Sequence, residues 1–245
     1  MSLQSGFKTL PVVARYVVMA FGLAGLAAML YASSGGSVFE PARLIALLAL
    51  AVAGARAKVK LYRSSSISFL TSIVMIAVMT ESSAAAMLIG ICGVLVQTVF
   101  PSKKFVVYQI VFNAGMIALT VGATFGTYHW LAGIKVVETL PAAVPATVLA
   151  SFVYFLGNSL SVSLIVAVTR GMSMYKVWTE HFMSSAPSFL IAGILSSAVI
   201  GLAGSQFLPI AGILVTVIAF VYYCSIRFTA KASSASAKAG VSTAA

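Results

Sequence analysis

Apolar residues in this chain come in long blocks separated by short polar stretches. They do not alternate, and they do not follow a narrow helical stripe. A helix needs about 20 residues, at about 1.5 Å rise each, to cross a hydrocarbon core of about 30 Å. On that measure the pattern predicts eight helices, over 11–31, 41–55, 66–80, 83–100, 105–128, 144–169, 186–204 and 208–226. The second is short because Arg43 and Arg56 bracket its apolar stretch. The third and fourth share a tight turn at Thr80, Glu81, Ser82 and Ser83, and read either as two full spans or as one re-entrant hairpin. The first run, with Lys8 before it and Tyr31, Ala32 and Ser33 after it, has the outline of a signal peptide and is read as a retained span. Residues 1–230 form one transmembrane domain on this reading, and the Ala/Ser/Lys-rich stretch 231–245 a disordered tail.

Composition narrows the class. Of 245 residues, 61% are hydrophobic and 8% charged, against about 45–50% and about 25% in ordinary soluble domains. Such a chain has too little polar surface to cover a water-soluble globule. The fold class expected is an all-α polytopic integral membrane protein. Lys and Arg concentrate in cytoplasmic loops. With eight spans, thirteen of the fifteen basic residues fall on one side, leaving Arg43 and Lys135 on the other with Glu40, Glu81 and Glu138. Both termini are therefore expected in the cytoplasm of a bacterium, the protein sitting in its inner membrane. The net charge of +11 suits anionic lipid head groups at that face. The positives are spread over several loops without a nucleic-acid motif, so no nucleic-acid partner is expected.

Catalytic chemistry finds little material. The four acids are all Glu, which excludes Asp-based phosphoryl transfer, a Ser-His-Asp triad and an EF-hand. There is no GxxxxGK[ST], GxGxxG, HExxH, CxxC or GxSxG motif. Cys92 and Cys224 lack metal-ligand spacing with each other or with His129 and His181. No enzyme activity, metal site or cofactor is expected.

Polar groups inside a bilayer cost free energy unless partnered, so they are the candidates for function. No Asp, Lys, Arg or His falls mid-span, which argues against a proton pump, a voltage sensor or a carboxylate ion carrier. Asn113 and Asn158 lie at depths of about 12 and about 17 Å on consecutive helices. They read as an interhelical hydrogen bond or as the polar lining of a ligand site. Glu81 reads as an exposed turn residue, or as a buried ligand-site acid if the hairpin is re-entrant. Gly115, Gly122 and Gly126 read as a helix-packing face, the last two forming a GxxxG. The segment 171–183 puts Met174, Tyr175, Trp178 and Phe182 on one helical face and Ser173, Lys176, Thr179 and Glu180 on the other. It is expected to be an interfacial amphipathic helix, a surface connector or a partner contact through Tyr175, Trp178 and Phe182.

Two stretches carry a resemblance. The first runs from Val59 through Arg63 and the serines at 64, 65, 66 and 68 to Phe112 and Asn113. The second holds Tyr154 and Asn158, then Gly171, Ser173 and Trp178 as Gly-x-Ser-x-x-x-x-Trp. Over about residues 12–225 the chain resembles the multi-span domain that precedes HD-GYP or GGDEF modules in bacterial cyclic-di-GMP signalling proteins. More loosely, it is similar to the substrate-binding subunits of energy-coupling-factor transporters. The first likeness implies a sensory or ligand-binding role. It departs where the family's last helix continues into an enzyme, since here Arg227 leads into the Ala/Ser tail. The function expected is a non-catalytic sensor-like module that binds a small or lipidic ligand and acts through a separate membrane protein partner. The alternatives are a solute-binding transport subunit and an accessory subunit of a larger membrane complex.

The sidedness is testable by cysteine accessibility. A membrane-impermeant thiol reagent applied from outside should label a cysteine placed at Ser37 or Glu138 and miss one at Lys60, Ser102 or Ser236. Labelling at Lys60 would overturn the arrangement.

Overall fold

The computed structural model describes residues 5–35, 40–56, 58–62, 65–100, 106–133 and 140–203. A short helix α1 (Ser5–Lys8) precedes α2 (Val12–Ser34) and α3 (Pro41–Arg56). Strands β1 (Lys58–Tyr62) and β2 (Ser65–Ser68) follow, then α4 (Phe69–Thr80), α5 (Ser83–Val99), α6 (Val107–Ala132) and α7 (Leu140–Arg170). The chain continues through α8 (Met174–His181), a single 3-10 turn at Met183–Ser185, and α9 (Ala186–Ala203). Among the described residues four stretches are long and apolar enough to cross a membrane: Val12–Ser34, Val107–Ala132, Val144–Arg170 and Met174–Gly201. The eighth expected helix, 208–226, and the tail lie outside the described residues.

One expectation is corrected. The serine-rich start of the third helix is not helical. Ser65–Ser68 pairs antiparallel with Lys58–Tyr62, with Val59 opposite Ile67, and the helix begins at Phe69. The physical reason is local. Serine competes with helical hydrogen bonding, and Val59, Leu61 and Ile67 are residues that favour or tolerate a pleated ribbon.

Helix α2 shows how the chain is arranged for lipid. Leu23, Leu26 and Leu30 are each more than half exposed, while Ala14, Val18 and Gly25 are buried. Small residues face the protein and large apolar ones face outward, the order expected where the surrounding solvent is hydrocarbon. Helix α4 is the opposite case. Every residue from Phe69 to Val78 is buried, among α3, α5, α6 and α9. Its 12 residues rise about 18 Å, less than a bilayer core, so α4 is a central packed helix. Ser196 of α9 donates to the Ser72 carbonyl at 3.1 Å, tying α9 to it.

α2 and α6 run parallel, with Gly22 against Val111 and Gly25 against Gly115. A Cβ on Gly25 would stand 2.6 Å from the Gly115 carbonyl oxygen, and one on Gly115 would run into the Phe21 carbonyl. Here backbone meets backbone. A Cβ on Gly122 would instead meet the Met87 methyl of α5, and one on Gly126 would meet nothing within 4 Å among the described residues. The glycines of α6 thus serve different contacts, and the residue opposite Gly115 is Gly25.

Gly115→Ala should destabilise the protein by about 1–3 kcal/mol through overpacking, read as a lowered Tm in detergent. Gly126→Ala should leave the Tm within error of the parent or raise it. Equal effects from the two changes would contradict this packing.

Candidate functional site

Two regions hold Glu81 and Asn113, two of the three buried-polar candidates that the sequence singles out. The first lies where α3 begins and α4 ends. Glu81 is 6% exposed, so it is not the exposed turn residue that its position suggests. Its Oε1 accepts from Arg43 Nε, and Arg43 also donates to the Thr80 carbonyl at 3.1 Å. Glu40, one turn before Arg43, lies 3.7 Å from the guanidinium. Among the described residues Glu81 Oε2 is buried without a hydrogen-bond partner. His129 of α6 reaches the same helix end, with Nε2 at 3.1 Å from the Val78 carbonyl. A carbonyl only accepts, so that nitrogen carries the proton. Phe125 stacks on the ring with centroids 4.0 Å apart.

The arrangement follows from helix termination. The last carbonyls of α4 lack intrahelical partners, and the helix dipole places partial negative charge there. Arg43 and His129 supply donors to two of them. Ser82 then caps α5 by accepting from the Ala85 amide at 3.3 Å. This cluster is chiefly a structural clamp between α3, α4 and α6.

The second region is a cleft of about 340 Å³, at the low end of ligand pockets, which span about 300–1,000 Å³. It is bounded by Leu10 and Val18 on one side, by Tyr108, Gln109, Phe112 and Asn113 of α6, and by Val162, Ile165, Val166, Thr169 and Arg170 of α7. Its walls are apolar, and its polar groups gather toward the start of α6 and the end of α7. Asn113 is on the wall, but its amide donates to Thr98 Oγ1 of α5 at 2.8 Å. Asn158 is half-buried on α7 and does not line this cleft. The structure therefore gives Asn113 a partner on α5.

Beside the cleft, α7 ends at Arg170 with Gly171 in the left-handed region, φ 65°, and the Met172 amide donating to the Ala167 carbonyl at 3.0 Å. This is a Schellman termination, which glycine accommodates without steric cost. It turns the chain into α8, where Val177 is buried and Tyr175 is 74% exposed. Trp178 packs against Phe155 and donates from Nε1 to Ser159 Oγ of α7 at 3.0 Å. Phe182 is half-buried. Of the three expected contact residues, Trp178 is thus engaged with the chain's own α7, and Tyr175 is the one left outward.

Sequence reasoning missed Arg43 as the partner of Glu81, Thr98 as that of Asn113, and Ser159 as that of Trp178. The first had a signal, an opposite charge in a charge-poor region. The neutral pairs had none. Among the described residues no cluster of three or more His, Cys, Asp or Glu is placed to hold a metal ion. No protein-family model, no curated protein and no solved structure matches the chain.

Arg43→Ala should strand the Glu81 carboxylate and destabilise the protein by about 3–5 kcal/mol. Replacing both residues, Arg43→Met with Glu81→Met, should recover most of that loss. A single Arg43→Ala variant with the parental Tm would contradict the pairing.

Proposed function

We propose that this chain is a non-catalytic membrane module that binds a small or lipidic ligand and relays its occupancy to a separate partner. The observation that carries the proposal is the cleft between the α1–α2 segment, α6 and α7, with apolar walls and its polar groups at one end. Apolar enclosure with a few placed polar groups is the usual form of a ligand site. The relay rests on α7. One stretch of that helix, Val162–Val166, forms the cleft wall, and Ser159, one turn away, holds Trp178 of α8. A ligand that shifts the population of α7 positions moves the anchor of α8 with it. The resemblance to sensory domains of cyclic-di-GMP signalling proteins supports the same class of role. The one-sided distribution of Lys and Arg supports a reading in which α8 lies at the cytoplasmic face of a bacterial inner membrane, where a partner would meet Tyr175.

The test is intact-mass measurement of the protein purified in mild detergent, joined to hydrogen exchange over α8. The parent should retain a stoichiometric bound molecule. Val166→Trp, which fills the cleft, should lose it while keeping the parental helical signal. Removing the molecule should change exchange in α8, and Trp178→Phe should abolish that response. A parent that retains nothing, or a Val166→Trp variant that retains as much as the parent, would overturn the proposal.

A further inference from the structure

We infer that the ligand of this cleft is an anionic phospholipid, its phosphate held at Arg170 and one acyl chain laid against α6 and α7. The inference rests on the cleft being a ligand site, and goes beyond it in fixing the chemistry of the occupant. Three observations carry it.

The first is charge. Arg170 lines the cleft at the end of α7. The ion pairs among the described residues are those of Arg43 with Glu40 and Glu81 at the α3–α4 cluster. Among the described residues no acidic side chain lines the cleft. A guanidinium presents paired N–H donors that match phosphate oxygens.

The second is the gradient of polarity. Arg170, Thr169, Gln109 and Tyr108 stand toward one end, and Phe112, Val162 and Val166 follow along the walls, where the polar Asn113 has its amide committed to Thr98 of α5. The Thr169 hydroxyl is turned to its own helix, donating to the Ile165 carbonyl at 2.6 Å, so the polar end is dominated by the cation. A small soluble solute would be met by polar groups on several sides. A head group with a chain is met by polarity at one end alone.

The third is rigidity. Arg15 donates from Nε to the Leu10 carbonyl at 2.9 Å and also bonds to the Lys8 carbonyl. Those bonds fasten the α1–α2 junction, and with it the Leu10 wall. Gly6 packs on the Tyr108 ring at 3.5 Å for a Cβ placed there. The N-terminal wall is thus built onto α6, its Arg15 is already engaged, and Arg170 is the cation that lines the cleft. The positions of Lys8, Arg15 and Arg170 at this end also suit the negative surface of a cytoplasmic leaflet.

The test uses the full-length protein, delipidated in detergent and equilibrated with equimolar phosphatidylglycerol and phosphatidylcholine. Intact mass spectrometry then counts retained lipid. The parent should retain one phosphatidylglycerol in preference to phosphatidylcholine. Arg170→Gln should weaken that preference at least roughly five-fold, and Arg170→Lys should restore part of it. Val166→Trp should lose the lipid in either case. Equal retention of both lipids, unchanged by Arg170→Gln but abolished by Val166→Trp, overturns the head-group assignment and leaves a ligand site standing. Retention of neither lipid, with another bound molecule lost in Val166→Trp, does the same. No retained molecule of any kind overturns both readings. Retention that rises without saturation and ignores Val166→Trp is annular lipid, and overturns both as well.

Discussion

A helix that ends inside protein must find donors for its last carbonyls, and in this chain that requirement falls on α4. Its residues are mostly apolar, and those from Phe69 to Val78 are buried, with no water at hand along most of its length. Arg43 comes from α3, His129 from α6, and each supplies a donor to the C-terminal end. The negative end of the helix dipole favours a cation there, and the Glu81 carboxylate balances it. A buried ion pair contributes little net stability compared with an apolar replacement, yet breaking one costs several kcal/mol. Its effect is therefore to penalise wrong registers. With Arg43 bound to the α4–α5 turn, sliding α3 along α4 by one turn would leave a carboxylate, a guanidinium and the Thr80 carbonyl unsatisfied together.

The same logic of close contact without a hydrophobic drive shapes the α2–α6 pair. Leu side chains gain nothing by leaving lipid for protein, so helices associate by packing and by dispersion. Gly25 and Gly115 bring two backbones together, and the Val18, Phe112 and Met116 cluster with the Phe21–Phe112 ring pair fills in beside them. The cleft lies on the N-terminal side of this contact, between Val18, Phe112 and the last two turns of α7. The glycine contact sets where α2 stands against α6, and so sets one wall of the cleft.

Most helices could be read from the sequence because their apolar blocks are long and their ends are marked by charge, Pro or Gly. The α3, α5 and α6 boundaries agree with the expected ones to within a few residues. The β1–β2 ribbon was not legible, because a serine run beside an apolar block reads as a helix start. Of the two readings that the sequence leaves for Glu81, the structure has the buried one. A turn residue reads as exposed unless its partner is known, and Arg43 is 38 residues away. Depth along a helix can be counted from sequence, but the direction a side chain faces cannot be fixed without neighbours. Asn113 and Asn158 lie at comparable counted depths, yet Asn113 faces Thr98 on α5. Trp178 carries the same lesson, since its helical face was legible and the presence of Ser159 beneath it was not.

The geometry around Gly171 links the cleft to the surface. α7 carries the apolar wall, and the Arg170 charge lies at its carbonyl end, where a cation is favoured by the helix dipole even without a ligand. Gly171 then reverses the chain sharply enough that α8 folds back and Trp178 reaches Ser159. The wall, the cation, the turn and the anchor lie within about twenty consecutive residues. α7 and α8 are thus joined directly, by the turn at Gly171, by the Trp178–Ser159 hydrogen bond and by the Phe155–Trp178 ring contact.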